Sequence, residues 1–173
     1  MMKTYILLFR GINVGGRNIL PMRDLGLLLQ ENGFDGVKTY IQSGNVVLKG
    51  KAKPGDSLSS VIESRFGFRP EIIALEAHEF EAAVKHNPYD LADGKAVHLY
   101  FSEREPQPDM DKLAALASER ERFELKGKVF YLYAPDGIGR SKLVAGLEKC
   151  LGVSATGRNL NTLNKLRQMM EKA

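Results

Sequence analysis

The chain of 173 residues has a single cysteine, no tryptophan and no apolar run near the ~20 residues that a membrane-spanning helix requires. One thiol, Cys150, excludes an internal disulfide framework and a multi-thiolate metal site, as expected in a reducing compartment. The apolar stretch Tyr5–Phe9 is short and is followed by Arg10, so it lacks the layout of a secretory signal peptide. These absences predict a cytoplasmic protein that does not contact a membrane.

Motifs for metals and for common cofactors are also missing. The sequence contains three histidines without the spacing of metal ligands: His78, His86 and His98. The segment Gly11–Asn18 has the outline of a P-loop, but Arg17 and Asn18 replace the lysine and the hydroxyl residue that hold phosphate and magnesium. Gly137 and Gly139 lack the third glycine of a dinucleotide-binding turn. We therefore predict no metal and no cofactor.

The sequence does have the composition of a globular protein with a modest basic excess. Hydrophobic residues make up 43% and charged residues 27%, and the formal net charge is +4. The excess is local, since residues 10–53 carry seven Lys or Arg against three Asp or Glu, and residues 126–158 carry six against two. Two separate basic stretches predict local attraction of anions, although scattered and solvated lysines would give the same count.

The first half of the chain has the hydrophobic periodicity of a β-α-β-β-α-β unit, which is the order of a ferredoxin-like fold. The predicted elements are a buried strand at Thr4–Arg10, a helix from Pro21 to Gly33, a tight hairpin of Val37–Gln42 with Asn45–Lys49, a helix from Leu58 to Phe66, and a strand at Glu71–Leu75. A short helix at Glu79–Lys85 follows.

The same order then repeats. The predicted elements are a strand at Val97–Ser102, a helix at Asp111–Ala117, strands at Arg122–Lys126 and Val129–Ala134, a helix at Ser141–Leu151, a short segment at Ala155–Arg158 and a last helix at Thr162–Glu171. We therefore predict an α+β protein of two tandem ferredoxin-like (βαββαβ) subdomains, residues 1–88 and 95–173, that arose by internal duplication.

This topology predicts which loops meet. In the first half, the loop after the first strand shares a sheet edge with the hairpin, and in the second half the loop after the third strand shares an edge with the end of the fourth. Both places combine glycine with cationic and amide side chains, which suits an anionic or nucleotide-like ligand. The candidate ligand-binding residues are Arg10, Asn13, Arg17, Asn18, Gln42, Ser43, Asn45, Asp136, Arg140, Ser141, Lys142, Arg158 and Asn159.

Each of these residues also has a purely structural interpretation. Ser43 can belong to a hairpin turn, Ser141 can cap a helix, and Asn13 can tolerate a left-handed backbone conformation. A second candidate surface is a base-stacking platform, because strand alternation puts His98 and Tyr100 on one face, with Tyr131 and Tyr133 expected beside them. No stretch matches the RNP1 pattern of RNA-binding domains, and packing of these faces is the alternative.

Four segments of the chain, in this order, resemble the bacterial family called domain of unknown function 1697. They are Arg10–Asn18, Gln42–Val46, Asp136–Lys142 and Thr156–Asn159 with Asn161 and Thr162. The resemblance extends over essentially the whole chain and implies two tandem α+β subdomains in a bacterial cytosolic protein. It implies no activity.

Three functions remain open from the sequence. The first is non-catalytic binding of a phosphate-bearing small molecule or of nucleic acid through the basic, glycine-rich loops. The second is an enzyme that acts on an anionic small molecule, with Asp136 as the only acid expected near a basic cluster. The third is a plain protein-interaction module, in which the motif residues only hold the loops.

Overall fold

The computed structural model describes residues 2–89 and 93–171 and shows an α+β protein with two four-stranded antiparallel sheets. The elements in chain order are β1 Lys3–Arg10, α1 Met22–Glu31, β2 Asp35–Tyr40, β3 Asn45–Gly50, α2 Asp56–Phe66, β4 Glu71–Glu76, α3 Ala77–Lys85, β5 Val97–Ser102, α4 Met110–Leu116, β6 Arg122–Lys126, β7 Val129–Tyr133, α5 Lys142–Ala145, α6 Leu147–Leu151, β8 Ala155–Asn159 and α7 Leu160–Glu171. No helix of the described residues is long and apolar enough to span a membrane.

The first sheet has the strand order β2-β3-β1-β4, and each neighbouring pair is antiparallel. Its central strand β1 is buried on both faces, as the unbroken apolar run of its sequence predicts. On one face Tyr5, Leu7 and Phe9 pack against the apolar sides of α1 and α2, including Leu25 and Ile62. The apolar residues that recur every second position in the strand and about every 3.6 positions in the helices therefore form a single core.

The second sheet repeats this arrangement with the order β6-β7-β5-β8. On the face of Tyr100, Phe130 and Leu132, residues of α4, α5 and α6 form the core, among them Leu113 and Leu143. Each sheet with its helices is consistent with one of two tandem subdomains.

The chain contacts divide these elements into two units. The first unit contains residues up to Ala82 together with those from Lys165 onward, and the second contains Ala83–Asn164. The final helix α7 thus contributes to both units. The boundary expected between residues 88 and 95 falls partly on residues 90–92, which lie outside the described residues, so the division at 1–88 and 95–173 stays a prediction.

Two predicted elements differ from the structure. The expected two-residue hairpin is a four-residue connection, because β2 ends at Tyr40, which pairs with Asn45, and the Gly44 amide donates to the Ile41 carbonyl. The single helix expected at Ser141–Leu151 is interrupted at Gly146, which separates α5 from α6.

The predicted stacking platform is also wrong. In the register of the second sheet His98 pairs with Leu132 and Tyr100 pairs with Phe130, so Tyr131 and Tyr133 project from the opposite face. The Tyr131 hydroxyl donates a hydrogen bond to the Ala83 carbonyl within the same unit. Alternation along one strand shows which of its residues share a face. It does not show which residues of the neighbouring strand lie on that same face, because this depends on the register between the two strands.

Gly157 is required by close packing of the Tyr100 ring. Gly157 pairs with Tyr100 across β8 and β5, and a Cβ atom at Gly157 would lie 2.6 Å from Cδ1 of that ring. We expect Gly157→Ala to lower the free energy of unfolding by about 1–3 kcal/mol, measured by urea denaturation, because the aromatic ring has to move. Gly139→Ala is the control, since that position has open space. The smaller, aliphatic side chain of the double variant Gly157→Ala/Tyr100→Leu should leave room for the new methyl group and restore part of the loss. Equal effects of Gly157→Ala and Gly139→Ala would contradict the packing argument.

His98 makes the stability depend on pH. Burial lowers the pKa of His98, and this outweighs a backbone hydrogen bond at Lys95 that raises it. The unfolded imidazole titrates near pH 6.5, so below that pH the unfolded chain takes up a proton that the folded chain resists. We expect stability to fall as the pH drops from 7 toward 5, and His98→Leu to flatten this fall. His86→Gln, an exposed change, should leave it intact; identical slopes in wild type and His98→Leu would refute the assignment.

Candidate functional site

The loop after β1 is a small closed hairpin. The Asn13 amide donates to the Asn18 carbonyl, and Val14 faces Arg17 across an antiparallel bridge. The two residues at the tip, Gly15 and Gly16, have φ of +58° and +74°, as in a type I′ turn, which only residues tolerant of positive φ form readily. The glycines of this segment therefore have a backbone role.

Asn13 fastens this hairpin to the rest of the first unit. Its Nδ2 donates to the carbonyls of Leu20 and Gln42, at 2.9 Å each, and its Oδ1 accepts from the Leu20 amide at 2.7 Å. The bond to Gln42 confirms the prediction that the loop after β1 lies beside the β2–β3 connection. Asn18 closes the loop from the other side, since its Nδ2 donates to the Gly11 carbonyl.

The β2–β3 connection is fixed in a similar way. Asn45 is fully buried, and its Nδ2 donates to the Tyr40 carbonyl and to the Ser43 hydroxyl. Gly44 has a φ of +93°, and a Cβ atom there would lie 2.6 Å from the side chains of Phe9 and Ile12. The amide and glycine residues of both motifs thus hold turns, which is the structural interpretation that the sequence left open.

The cations of this first cluster do not converge. The Arg10 guanidinium lies 3.0 Å from the Glu71 carboxylate, whereas Arg17 extends from the exposed hairpin. Three exposed aliphatic side chains flank Arg17 and the connection: Val14, Ile19 and Ile41. Ile41 has a φ of +49°, a strained conformation for a β-branched residue that nothing in its sequence announces.

In the second unit Arg158 is the predicted cation that lies in a strand, whereas Arg140 and Lys142 lie in the loop before α5 and at its first residue. Arg158 pairs with Leu99 and so lies on the face opposite to Tyr100 and to helices α4, α5 and α6. Burial lowers its pKa to about 10, and its Nη1 donates to the Gly157 carbonyl. Asn159 caps the last helix, because its Oδ1 accepts from the Thr162 amide. The ends of β7 and β8 lie side by side at the start of β5, where Val97 pairs with Tyr133 and His98 pairs with Asn159, and the grouping of Arg158 and Asn159 with Arg140 stays a prediction.

The loop between β7 and α5 instead contacts the connection between α4 and β6. The Asp136 carboxylate lies 2.8 Å from the Arg120 guanidinium, and the Ser141 hydroxyl donates to Glu121 Oε2 at 2.7 Å. Ser141 also accepts from the Val144 amide and so caps α5. These contacts lie next to the start of β6, which is one edge strand of the second sheet; β8 is the other edge strand.

A cavity of about 410 Å³ lies between these two segments, entirely within the second unit. It is lined by Ala115, Leu116, Ala117, Ser118, Glu121, Asp136, Gly137, Arg140, Ser141 and Lys142. The structure therefore brings four of the predicted site residues together here, namely Asp136, Arg140, Ser141 and Lys142. Among the described residues no cluster of His, Cys, Asp or Glu could hold a metal ion.

The acids of this cavity are bound by other side chains or backbone amides, whereas its cations are exposed. Asp136 is paired with Arg120, and Glu121, only 9% exposed, accepts hydrogen bonds from the Ser118 amide and the Ser141 hydroxyl. Arg140 and Lys142 are exposed and form no ion pair with the residues that the structure describes. The lining therefore has two cations and two acids, and only the acids are engaged by donors of the protein among the described residues.

Glu121 and Ser118 are cavity residues that the sequence analysis missed. Their spacing, Ser-x-x-Glu, is the signature of a capping box, in which the serine amide and the glutamate side chain bond to each other. Here the pair closes a turn before β6, since the Glu121 amide also donates to the Ser118 carbonyl. This spacing was the available signal, but it does not reveal that Glu121 also holds Ser141.

Comparisons with known proteins support the same architecture. A family model described as "Protein of unknown function (DUF1697)" matches residues 2–131. The solved structure of the conserved bacterial protein SP0830 from Streptococcus pneumoniae is similar over 98% of this chain and 99% of that chain, with a TM-score of 0.66 and 26% sequence identity. No protein among the curated ones matches the sequence significantly.

Asn13 tests the structural role of the first cluster. Asn13→Ala removes three hydrogen bonds and places alanine at a φ of +54°, so we expect a loss of about 3 kcal/mol in the free energy of unfolding. Asn13→Gly keeps the backbone freedom and should lose about 1 kcal/mol less, which chemical denaturation resolves. Asn18→Ala, with the same sign of φ and one side-chain bond, should fall between wild type and Asn13→Ala. An unchanged midpoint for Asn13→Ala would disprove this role.

Proposed function

Since the chain belongs to the family of proteins of unknown function 1697, we propose that it binds a phosphate-bearing small molecule, without catalysis, in the cavity of the second unit. The observation that carries this proposal is the imbalance between engaged acids and unengaged cations. Among residues 2–89 and 93–171, Arg140 and Lys142 have no carboxylate partner, whereas Asp136 and Glu121 are both held by donors of the protein. An anion at the cavity mouth gains attraction without displacing an internal ion pair.

The side chains around the cavity suit such a ligand in size and chemistry. Ligand cavities of small molecules commonly have volumes of ~300–1,000 Å³, and this one has about 410 Å³. The Arg140 guanidinium offers a planar fork for two phosphate oxygens, and the Lys142 ammonium adds a mobile point charge. Leu116 and Ala117 provide an apolar wall for the uncharged part of the ligand.

The acids favour binding over acid–base chemistry. Asp136 is the acid that the enzymatic hypothesis uses, but its carboxylate lies 2.8 Å from Arg120 and both side chains are exposed. A general acid or base has to reach a proton of the substrate, whereas the Asp136 carboxylate is already held by the Arg120 guanidinium. The engagement of this carboxylate therefore supports binding rather than turnover.

Our proposal also includes the topology of the two units and its origin. Each unit, as we propose, is a ferredoxin-like subdomain, and the two arose by duplication of one βαββαβ element. The identical strand orders, with the first strand between the third and the fourth in both sheets, support this interpretation.

The double variant Arg140→Ala/Lys142→Ala tests the proposed site. We expect ATP and ribose 5-phosphate to raise the melting temperature of the wild type, more at low salt than at high salt, because the attraction is electrostatic. The double variant should lose this shift, with affinity by calorimetry at least about tenfold weaker. The matched control is Lys128→Ala/Lys149→Ala, which removes the same charge from exposed positions outside the cavity.

Other outcomes point to the alternative functions. Equal loss in the two double variants would indicate a general charge effect and would contradict the site. Stabilisation by an oligonucleotide but not by ATP or ribose 5-phosphate would favour nucleic acid as the ligand. Retained binding of ATP with slow turnover that Asp136→Asn abolishes would favour the enzyme.

A further inference from the structure

A second cavity occupies the same place in the first unit as the proposed site does in the second. Both cavities lie where the connection from the first helix to the second strand meets the loop from the third strand to the second helix. In the second unit these segments are the α4–β6 connection and the β7–α5 loop, and in the first they are the α1–β2 connection and the β3–α2 loop. The equivalence follows from the shared strand order.

The first-unit cavity has a volume of about 490 Å³ and a more one-sided charge. It is lined by Asn32, Gly33, Phe34, Lys51, Ala52, Lys53, Pro54, Gly55, Ser57, Leu58 and Val61. Its cations are Lys51 and Lys53 of the β3–α2 loop, which are separated by one residue, as are Arg140 and Lys142 of the second cavity. No acidic side chain is among these lining residues.

The two lysines of this cavity have at most one weak carboxylate partner among the described residues. Lys53 Nζ lies 3.7 Å from the Glu79 carboxylate, but both side chains are about half exposed, and such a pair contributes little to stability. The Asp56 carboxylate, at the start of α2, is fully exposed and lies 3.9 Å from Arg69. Lys51 is exposed and has no ion pair with a described residue. Both ammonium groups can therefore turn toward an anion in the cavity.

We infer that this first-unit cavity is a second binding site for a phosphate group, so that the protein holds one phosphate-bearing ligand in each unit. The inference extends the proposed function, because it takes its ligand class from the site in the second unit. Lys51 and Lys53 supply the charge, the Ser57 hydroxyl is a further hydrogen-bond group at the rim, and Phe34 and Val61 form the apolar wall.

The two sites differ in how they recognise phosphate. The first has two ammonium groups, which act as mobile point charges and impose little geometry. The second has a guanidinium, whose fixed fork selects planar pairs of oxygens. A small probe without a base or sugar should therefore bind both, and inorganic pyrophosphate is the probe that tests them together.

The experiment is a titration of the ¹⁵N-labelled full chain with inorganic pyrophosphate, followed by amide chemical shifts. We expect two groups of amides to move, one around Lys51–Ser57 and one around Gly137–Lys142. Lys51→Ala/Lys53→Ala should abolish the first group of shifts and leave the second unchanged, and Arg140→Ala/Lys142→Ala should do the reverse. The matched control, Arg23→Ala/Lys85→Ala, removes the same charge from exposed positions outside both cavities. Amide dispersion reports in the same spectra whether each variant is folded.

Each outcome separates this inference from the proposed function. Movement of the second group alone overturns the first-unit site and leaves the proposed function in place. Movement of the first group alone supports the first-unit site and removes the proposed function. If neither group moves, both fail. If the control variant weakens both groups as much as the targeted variants do, the shifts reflect net charge, and the first-unit site is overturned.

Discussion

The antiparallel pairing of the second strand with the third is the constraint on which the cavities depend. Asp35 at the start of β2 pairs with Lys49 near the end of β3, and Arg122 at the start of β6 pairs with Tyr133 at the end of β7. The chain segments that enter one strand and leave the other must therefore meet at one corner of each sheet. Both cavities lie at this corner, whereas the loop after β1 and the β2–β3 connection meet at the opposite end of the first sheet.

Local geometry accounts for most of the glycine and asparagine residues in the shared motifs. Gly44 and Gly157 are positions where a side chain would collide with a packed neighbour, and Asn13 combines a positive φ with three hydrogen bonds. The packing and hydrogen bonds of the fold therefore explain why these residue types are present. The cations Arg140 and Lys142 have no such structural role, because both are exposed and neither pairs with an acid in the part of the chain that the structure describes. A ligand site is therefore better sought among the unengaged charges than among the motif residues with the most distinctive sequence.

The sequence predicts the elements well and their lateral contacts poorly. Periodicity places β5 and the buried strand β1 within one residue, since an apolar run or alternation is a property of the chain itself. Periodicity does not predict which segment the loop after β7 contacts. That contact depends on pairs such as Arg120 with Asp136, which are sixteen residues apart in the sequence. The face of Arg158 likewise depends on the register with Leu99. The signal for the first-unit cavity is the repeated order of elements, because the same two connections meet at the same corner of each sheet.

The two corners differ in what holds their loops, and this difference bears on their selectivity. In the second unit Glu121 bonds both to the Ser118 amide and to the Ser141 hydroxyl, so one buried carboxylate ties the two cavity segments together. The first-unit cavity has no acid among its lining residues to make such a tie. We expect the tether at Ser141 to narrow the positions of the neighbouring Arg140 and so to reduce the conformational entropy lost on binding, whereas the flexible side chains of Lys51 and Lys53 adapt to more ligand shapes at a greater entropic cost. With the two sites as we propose them, the same corner of the sheet gives a more selective site in the second unit and a more permissive one in the first.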